Sequence, residues 1–182
     1  MKKAIPALAA LAGMIGDRQV RHMGTIGGSL ANNDPAADYP AAALGLGATI
    51  TTNKRKIEAD KFFKGMFETA LQPGEIITSI SFQVPKRAAY TKFKNPASRF
   101  AIVGVFVADF GGSVRVAVTG AGPSVFRQAD MEKALAGKFA PESVANIKVK
   151  QDGLNSDMHA SAEYRAHLVT VMAKRAVEAA LK

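Results

Sequence analysis

Two apolar runs, Ala101 to Phe110 and Val114 to Thr119, stand on either side of Gly111-Gly112. A glycine pair between strand-forming runs closes a tight antiparallel hairpin, and this is the feature that most constrains the fold. Tyr90 to Lys94 supplies a strand ahead of the hairpin, so the second half of the chain reads as a three-stranded meander. Arg127 to Leu135 and Pro141 to Ile147 read as short helices. Ser161 to Leu181 reads as a long one, because Leu168, Val171, Met172, Ala176 and Ala179 recur at helical spacing. Strands and helices in segregated runs predict an α+β fold.

The first half is patterned differently. Residues 48–52 and 55–59 form a predicted hairpin around Asn53 and Lys54. Asp60 to Phe67 reads as a short helix or turn whose phenylalanines enter the core. Gln72-Pro73-Gly74 is a turn, and Glu75 to Val84 alternates as a strand that Pro85 ends. The change of character near residue 85 divides the 182 residues into two units, 1–85 and 86–182. A chain of this length hides roughly 70% of its unfolded surface, enough for a real core.

Composition removes several classes of function. There is no cysteine, which excludes disulfides, thiolate zinc sites, iron–sulfur ligation and a cysteine nucleophile in this chain. Three histidines (His22, His159, His167) lack metal-binding spacing, so no metal site is expected. No apolar run reaches the roughly 20 residues of a transmembrane helix. Net charge is +9, from 24 basic and 15 acidic side chains, which invites an anionic partner. The basic residues are scattered, however. Lys54-Arg55-Lys56 reads as a solvated hairpin tip, and Tyr90, Phe93 and Phe100 read as core aromatics rather than base-stacking platforms, so no nucleic-acid partner is expected. Met1-Lys2-Lys3 with Ala4 to Gly16 fits either a secretory signal or a helix with Pro6 in its first turn. The residues that follow belong to the same folded unit, which favours the helix.

Gly45-Leu46-Gly47 and Gly120-Ala121-Gly122 lack the third glycine of a dinucleotide fingerprint, and there is no Walker sequence and no nucleophile elbow. The stretch Gly24 to Asp38 is more informative. Consecutive glycines let a backbone approach a ligand closely and aim amides at an anion. Thr25 and Ser29 add hydroxyls, and Asp38 offers an acceptor for sugar or polyol hydroxyls. Such a set suits a ligand with a phosphate and a polyhydroxylated chain. The same residues also suit a tight turn followed by a capped helix, with Asp34-Pro35 as N-cap and first-turn pair and Pro40 keeping that helix short.

Thr25-Ile26-Gly27-Gly28-Ser29, with Asn32, Asp34-Pro35 and Asp38, resembles the second FAD motif of the flavin subunit of molybdenum hydroxylases. It is most similar to the medium chain of aerobic-type carbon monoxide dehydrogenases and more distantly to the flavin domain of xanthine dehydrogenase. Val20 to Gly24, Leu71 to Ile77, Phe93-Lys94 ahead of Ala101 to Val105, and Ala162 to Arg165 with Leu168 and Arg175-Ala176 extend the likeness in order along the chain. The resemblance implies a vanillyl-alcohol-oxidase-like (PCMH-type) FAD-binding domain, here its C-terminal part. The smaller C-terminal domain of the same family follows it.

In that family Thr25, Gly27, Gly28 and Ser29 would lie along the FAD pyrophosphate and adjoining groups, Ile26 and Asn32 of the same motif would belong to the cofactor-binding set, and Asp38 would hold ribityl or sugar hydroxyls. The strand at Ile77 and Thr78 would pass near the flavin. Lys94 would sit by its ring, where a cation stabilises negative charge on the reduced form. Arg21 and His22 read as structural. The implied holoenzyme carries its molybdenum cofactor on a large subunit and its [2Fe-2S] clusters on a small one. The chain would take electrons from the small subunit and pass them to an external acceptor such as a quinone, in the cytoplasm, and no catalytic residue is expected in it because the redox chemistry would belong to the isoalloxazine. Nothing here matches the family's first glycine-rich FAD motif, so the chain is expected to lack the N-terminal FAD subdomain. Two further expectations stand beside this one: a fragment that binds no FAD and self-associates through open strand edges, or a basic module for nucleic acid or an acidic protein.

Overall fold

The computed structural model describes residues 3–182; the basic start at Met1-Lys2 lies outside them. The chain opens with four helices: α1 (Pro6–Gly13), α2 (Arg18–Met23), α3 (Ile26–Asn32) and α4 (Tyr39–Gly45). Then come β1 (Thr49–Thr52), β2 (Lys56–Glu58), α5 (Ala59–Phe62), β3 (Phe63–Gly65), β4 (Glu68–Thr69) and β5 (Ile77–Ser81). The second half holds β6 (Arg87–Lys94), β7 (Ala101–Asp109), β8 (Val114–Thr119), β9 (Phe126–Arg127), α6 (Ala129–Gly137), α7 (Glu142–Ala145) and α8 (Ala162–Ala180).

Strands β2, β1 and β5 form one antiparallel sheet in that order, and β6-β7-β8-β9 form another; β3 and β4 pair separately. The second sheet thus has four strands rather than three. Its extra member is only two residues long, too short for a period to register. The Gly111-Gly112 hairpin sets the β7–β8 register, pairing Asp109 with Val114 and Val105 with Val118.

Every residue of β7 is buried, because the sheet is covered on both faces. Val103, Val105 and Val107 of β7 and Val114, Val116 and Val118 of β8 pack with Leu168, Val169 and Met172 of α8 and Met131 of α6. Phe106, Ala108, Ala117 and Tyr90 point the other way and join Leu8, Leu11, Leu30 and Leu44 from the first half. Period-2 alternation therefore distributes one strand between two cores. The sheet is a shared middle layer, so the change in pattern near residue 85 does not mark a boundary between separate cores. Gly45 lets α4 lie against this sheet: a Cβ there would stand 2.8 Å from Phe106 Cδ1.

Helix α1 buries Ala7, Leu8 and Leu11 in the first core, as the helical reading of the N-terminus required. Phe62 is fully buried, whereas Phe67 is exposed at a left-handed φ of 56°. Phe93 and Phe100 are also exposed rather than core, since Phe100 sits in the loop after β6. Arg55 is less free than a solvated hairpin tip implies: its guanidinium grips Glu75 at 2.9 and 3.1 Å. Glu75 also accepts from Thr52 Oγ1 and the Gln72 amide, at 2.7 and 2.8 Å. These bonds, the Arg55 one foremost, hold the Glu75 carboxyl down at about 2. Among the described residues no helix is long and apolar enough to cross a membrane.

Candidate cofactor-binding site

The glycine-rich stretch folds as helix α3 and not as a loop. Thr25 is its N-cap, extended at φ −121° and ψ 153°, and its hydroxyl accepts from the Gly28 amide at 3.0 Å. The helix therefore carries Gly27 and Gly28 in its first turn, with the bare backbone of Gly28 exposed. At Gly28 a Cβ would come within 3.1 Å of Thr25 Oγ1. Asp34 caps no helix: its carboxylate accepts from the Ala36 amide at 2.9 Å in an Asx turn, and α4 starts only at Tyr39.

A cavity of about 510 Å³ opens beside these elements, a size that suits a small organic ligand. Thr25, Gly28, Ser29 and Asn32 line one side, and Asp38 and Tyr39 line the start of α4. Ser98, Arg99 and Phe100 contribute the loop after β6, while Ile15, Gly16 and Arg21 come from the α1–α2 corner. Hydroxyl, amide and guanidinium donors predominate among the polar groups. That donor set fits a phosphate-bearing, polyhydroxylated cofactor.

Three cations converge where α1 ends. Lys92 Nζ donates to the Met14 carbonyl at 2.9 Å, and Arg21 Nη1 to those of Ile15 and Gly16 at 2.8 and 3.2 Å. Arg99 Nη1 reaches Gly16 O at 3.3 Å. Unpartnered carbonyls and the negative end of the helix dipole attract basic side chains at such a terminus. Nearby, Asp17 caps α2 by accepting from the Val20 amide at 2.9 Å, and that bond, with Arg99 and Arg21 adding to it, holds its carboxyl below the ordinary range.

Asp38 is buried beneath the cavity wall. Its Oδ2 accepts from Lys92 Nζ at 2.9 Å and its Oδ1 accepts from the Tyr90 hydroxyl. Burial pushes the Asp38 carboxyl up, against the pull of Lys92 and Tyr90; the Tyr90 phenol is pushed well up by its own burial and by Asp38. The carboxylate is thus already engaged from two sides, and it couples the cavity wall to β6.

Of the residues singled out in the sequence, Thr25, Gly28, Ser29, Asn32 and Asp38 come together at the cavity. Ile26 packs on the first core, and Gly27 lies towards Ile77, whose Cγ2 is 4.0 Å from where a Cβ would be. Thr78 and Lys94 do not line the cavity. Thr78 is exposed on β5 and donates its hydroxyl to Thr51 O at 3.2 Å; Lys94 is exposed at the end of β6. The loop after β6 brings Arg99 to the cavity wall. Arg99, Tyr39 and Phe100 carried no local signal, since only the folded chain juxtaposes them with Thr25. Arg21 was legible as a residue beside the motif, but not as part of its wall.

The sequence pattern of the family described as "FAD binding domain in molybdopterin dehydrogenase" matches residues 1–86, and that described as "CO dehydrogenase flavoprotein C-terminal domain" matches residues 88–180. The chain is 32% identical to the glyceraldehyde dehydrogenase medium chain of Sulfolobus acidocaldarius, over 97% of this chain and 68% of that protein. It is 35% identical to the nicotine 6-hydroxylase medium subunit of Paenarthrobacter nicotinovorans, over 96% of this chain and 67% of that one. The carbon monoxide dehydrogenase of Hydrogenophaga pseudoflava, solved without the Mo-pyranopterin moiety of its cofactor, superposes with a TM-score of 0.87 at 32% identity. That likeness covers 99% of this chain and 68% of the solved one. The chain thus spans about two thirds of the length of these relatives, which are oxidoreductases or subunits of them. It carries the FAD-binding domain and the flavoprotein C-terminal domain in the same order, and it belongs to the family of FAD-binding medium subunits of molybdenum hydroxylases.

Proposed function

We propose that this chain is the flavin-carrying electron-transfer subunit of a molybdenum hydroxylase. It receives electrons from an iron–sulfur subunit, fed in turn by a molybdenum subunit, and delivers them to an external acceptor. The observation that carries this reading is the donor-lined cavity between α3, the start of α4 and the loop after β6. FAD, when bound there, supplies an isoalloxazine ring that stores and releases electrons.

The chain's own residues have binding and orienting roles. Thr25, Gly28 and Ser29 would hold the diphosphate, with the bare backbone at Gly28 permitting close approach. Asn32 and Tyr39 offer hydrogen bonds to the polyhydroxylated middle of the cofactor. Asp38, held by Lys92 and Tyr90, fixes the wall and presents its remaining lone pairs to hydroxyls. Ile15, Met23 and Phe100 supply apolar surface to the same wall. Division near residue 85 is proposed as a boundary of evolutionary units that share one central sheet.

Coexpression with iron–sulfur and molybdenum partner subunits tests this directly. The expected result is a copurifying complex with bound flavin, whose flavin content falls sharply in Gly28→Asp. Absence of copurification would contradict the subunit role, and flavin retained in full by Gly28→Asp would contradict the site.

A further inference from the structure

Arg21 and Arg99 come from opposite halves of the chain, yet both line the same cavity and both donate to Gly16 O. Among the described residues neither closes a salt bridge, whereas Arg55, Arg87, Arg115, Arg127 and Arg165 each do. We propose that Arg21 and Arg99 form a two-guanidinium rim that receives the diphosphate of the cofactor; this rests on the cavity being the FAD site.

Three observations carry it. First, each arginine is anchored through Nη1 alone, and a guanidinium has five N–H donors in a rigid fork, so donors remain on both. A forked cation matches phosphate oxygens better than a point charge does. Second, among the described residues no carboxylate closes on either guanidinium: Asp17 lies near enough for both arginines to help hold its carboxyl down, but its hydrogen bond goes to the Val20 amide as the α2 cap, and Asp38 is neutralised by Lys92. Third, Arg99 holds a left-handed φ of 62°, which is costly for a residue with a Cβ. Its amide donates to Asn95 O at 2.9 Å, and the Asn95 amide donates to Phe100 O at 2.8 Å, which locks the turn. The backbone thus bears strain at the residue whose side chain reaches the rim. Arg21 enters four residues ahead of Thr25, beside the hydroxyls of Thr25 and Ser29 that already favour an anion.

The test is titration of the full chain with FAD, ADP and riboflavin, comparing wild type with Arg21→Met and Arg99→Met. Each substitution is expected to weaken FAD and ADP about tenfold, the loss of a charge-assisted hydrogen bond, and to flatten the salt dependence of binding. Riboflavin, which has no phosphate, is expected to bind all forms alike. Arg99 is exposed, so Arg99→Met keeps the test valid if Arg21→Met, by releasing α1, fails to fold. Unchanged FAD and ADP affinity in Arg99→Met, or an equal loss for riboflavin, would overturn the rim. Wild type that binds FAD but not ADP would also overturn it. ADP bound and lost in the variants, with FAD never bound, would support the rim and contradict the flavin site. No binding of either nucleotide would overturn both.

Discussion

Lys92 Nζ lies 2.9 Å from Asp38 Oδ2, with the two side chains only 3% and 4% exposed. This pair fastens β6 to the start of α4 beneath the cavity, and Lys92 also holds the end of α1 through Met14 O. A buried pair adds little over an apolar replacement, but breaking one partner strands a charge. Lys92→Met and Asp38→Asn should each destabilise the fold by about 3–5 kcal/mol. The double substitution should cost clearly less than the sum. Urea unfolding of the three variants measures this, and additive losses would contradict the coupling.

Glu75 gives the fold an acid-sensitive latch. Its carboxyl sits at about 2 in the folded chain, against an ordinary value of 4.5. A depressed carboxyl binds its proton later in the native state, so it contributes stability above the ordinary value and loses it as pH falls towards 2. Glu75→Gln should therefore lower the melting temperature at pH 7 by several degrees, with the gap to wild type closing below pH 4. A gap constant from pH 7 to pH 2.5 would contradict this.

Close approach of α4 to the central sheet depends on Gly45. With a Cβ 2.8 Å from the Phe106 ring, Gly45→Ala should cost about 1–3 kcal/mol through overpacking, despite alanine's better helix propensity. Denaturant unfolding checks the sign; a stabilised variant would mean that the sheet yields.

Much of the fold was legible because it is written locally. The glycine pair at 111–112 announced its hairpin, and the apolar stripe of α8 announced its helix. What escaped was set by tertiary pairing. The Thr25 cap makes the Gly27-Gly28 segment helical, and glycine's low helix propensity hid that. Asp38 could be picked out as a carboxylate beside the motif. Its partners Tyr90 and Lys92, more than fifty positions away, could not be tied to it. Arg99 gave no signal, because the turn that swings it to Gly16 has no sequence period.

The central claim, that the cavity beside Thr25 to Asp38 holds FAD, is tested most directly by titrating the purified chain with FAD and following the quenching of flavin fluorescence. Saturable binding is predicted, weakened at least about tenfold in Gly28→Asp, where a side chain would crowd Thr25 and bring a negative charge to the anion site. No saturable quenching in the wild-type chain, or equal affinity in Gly28→Asp, would contradict it.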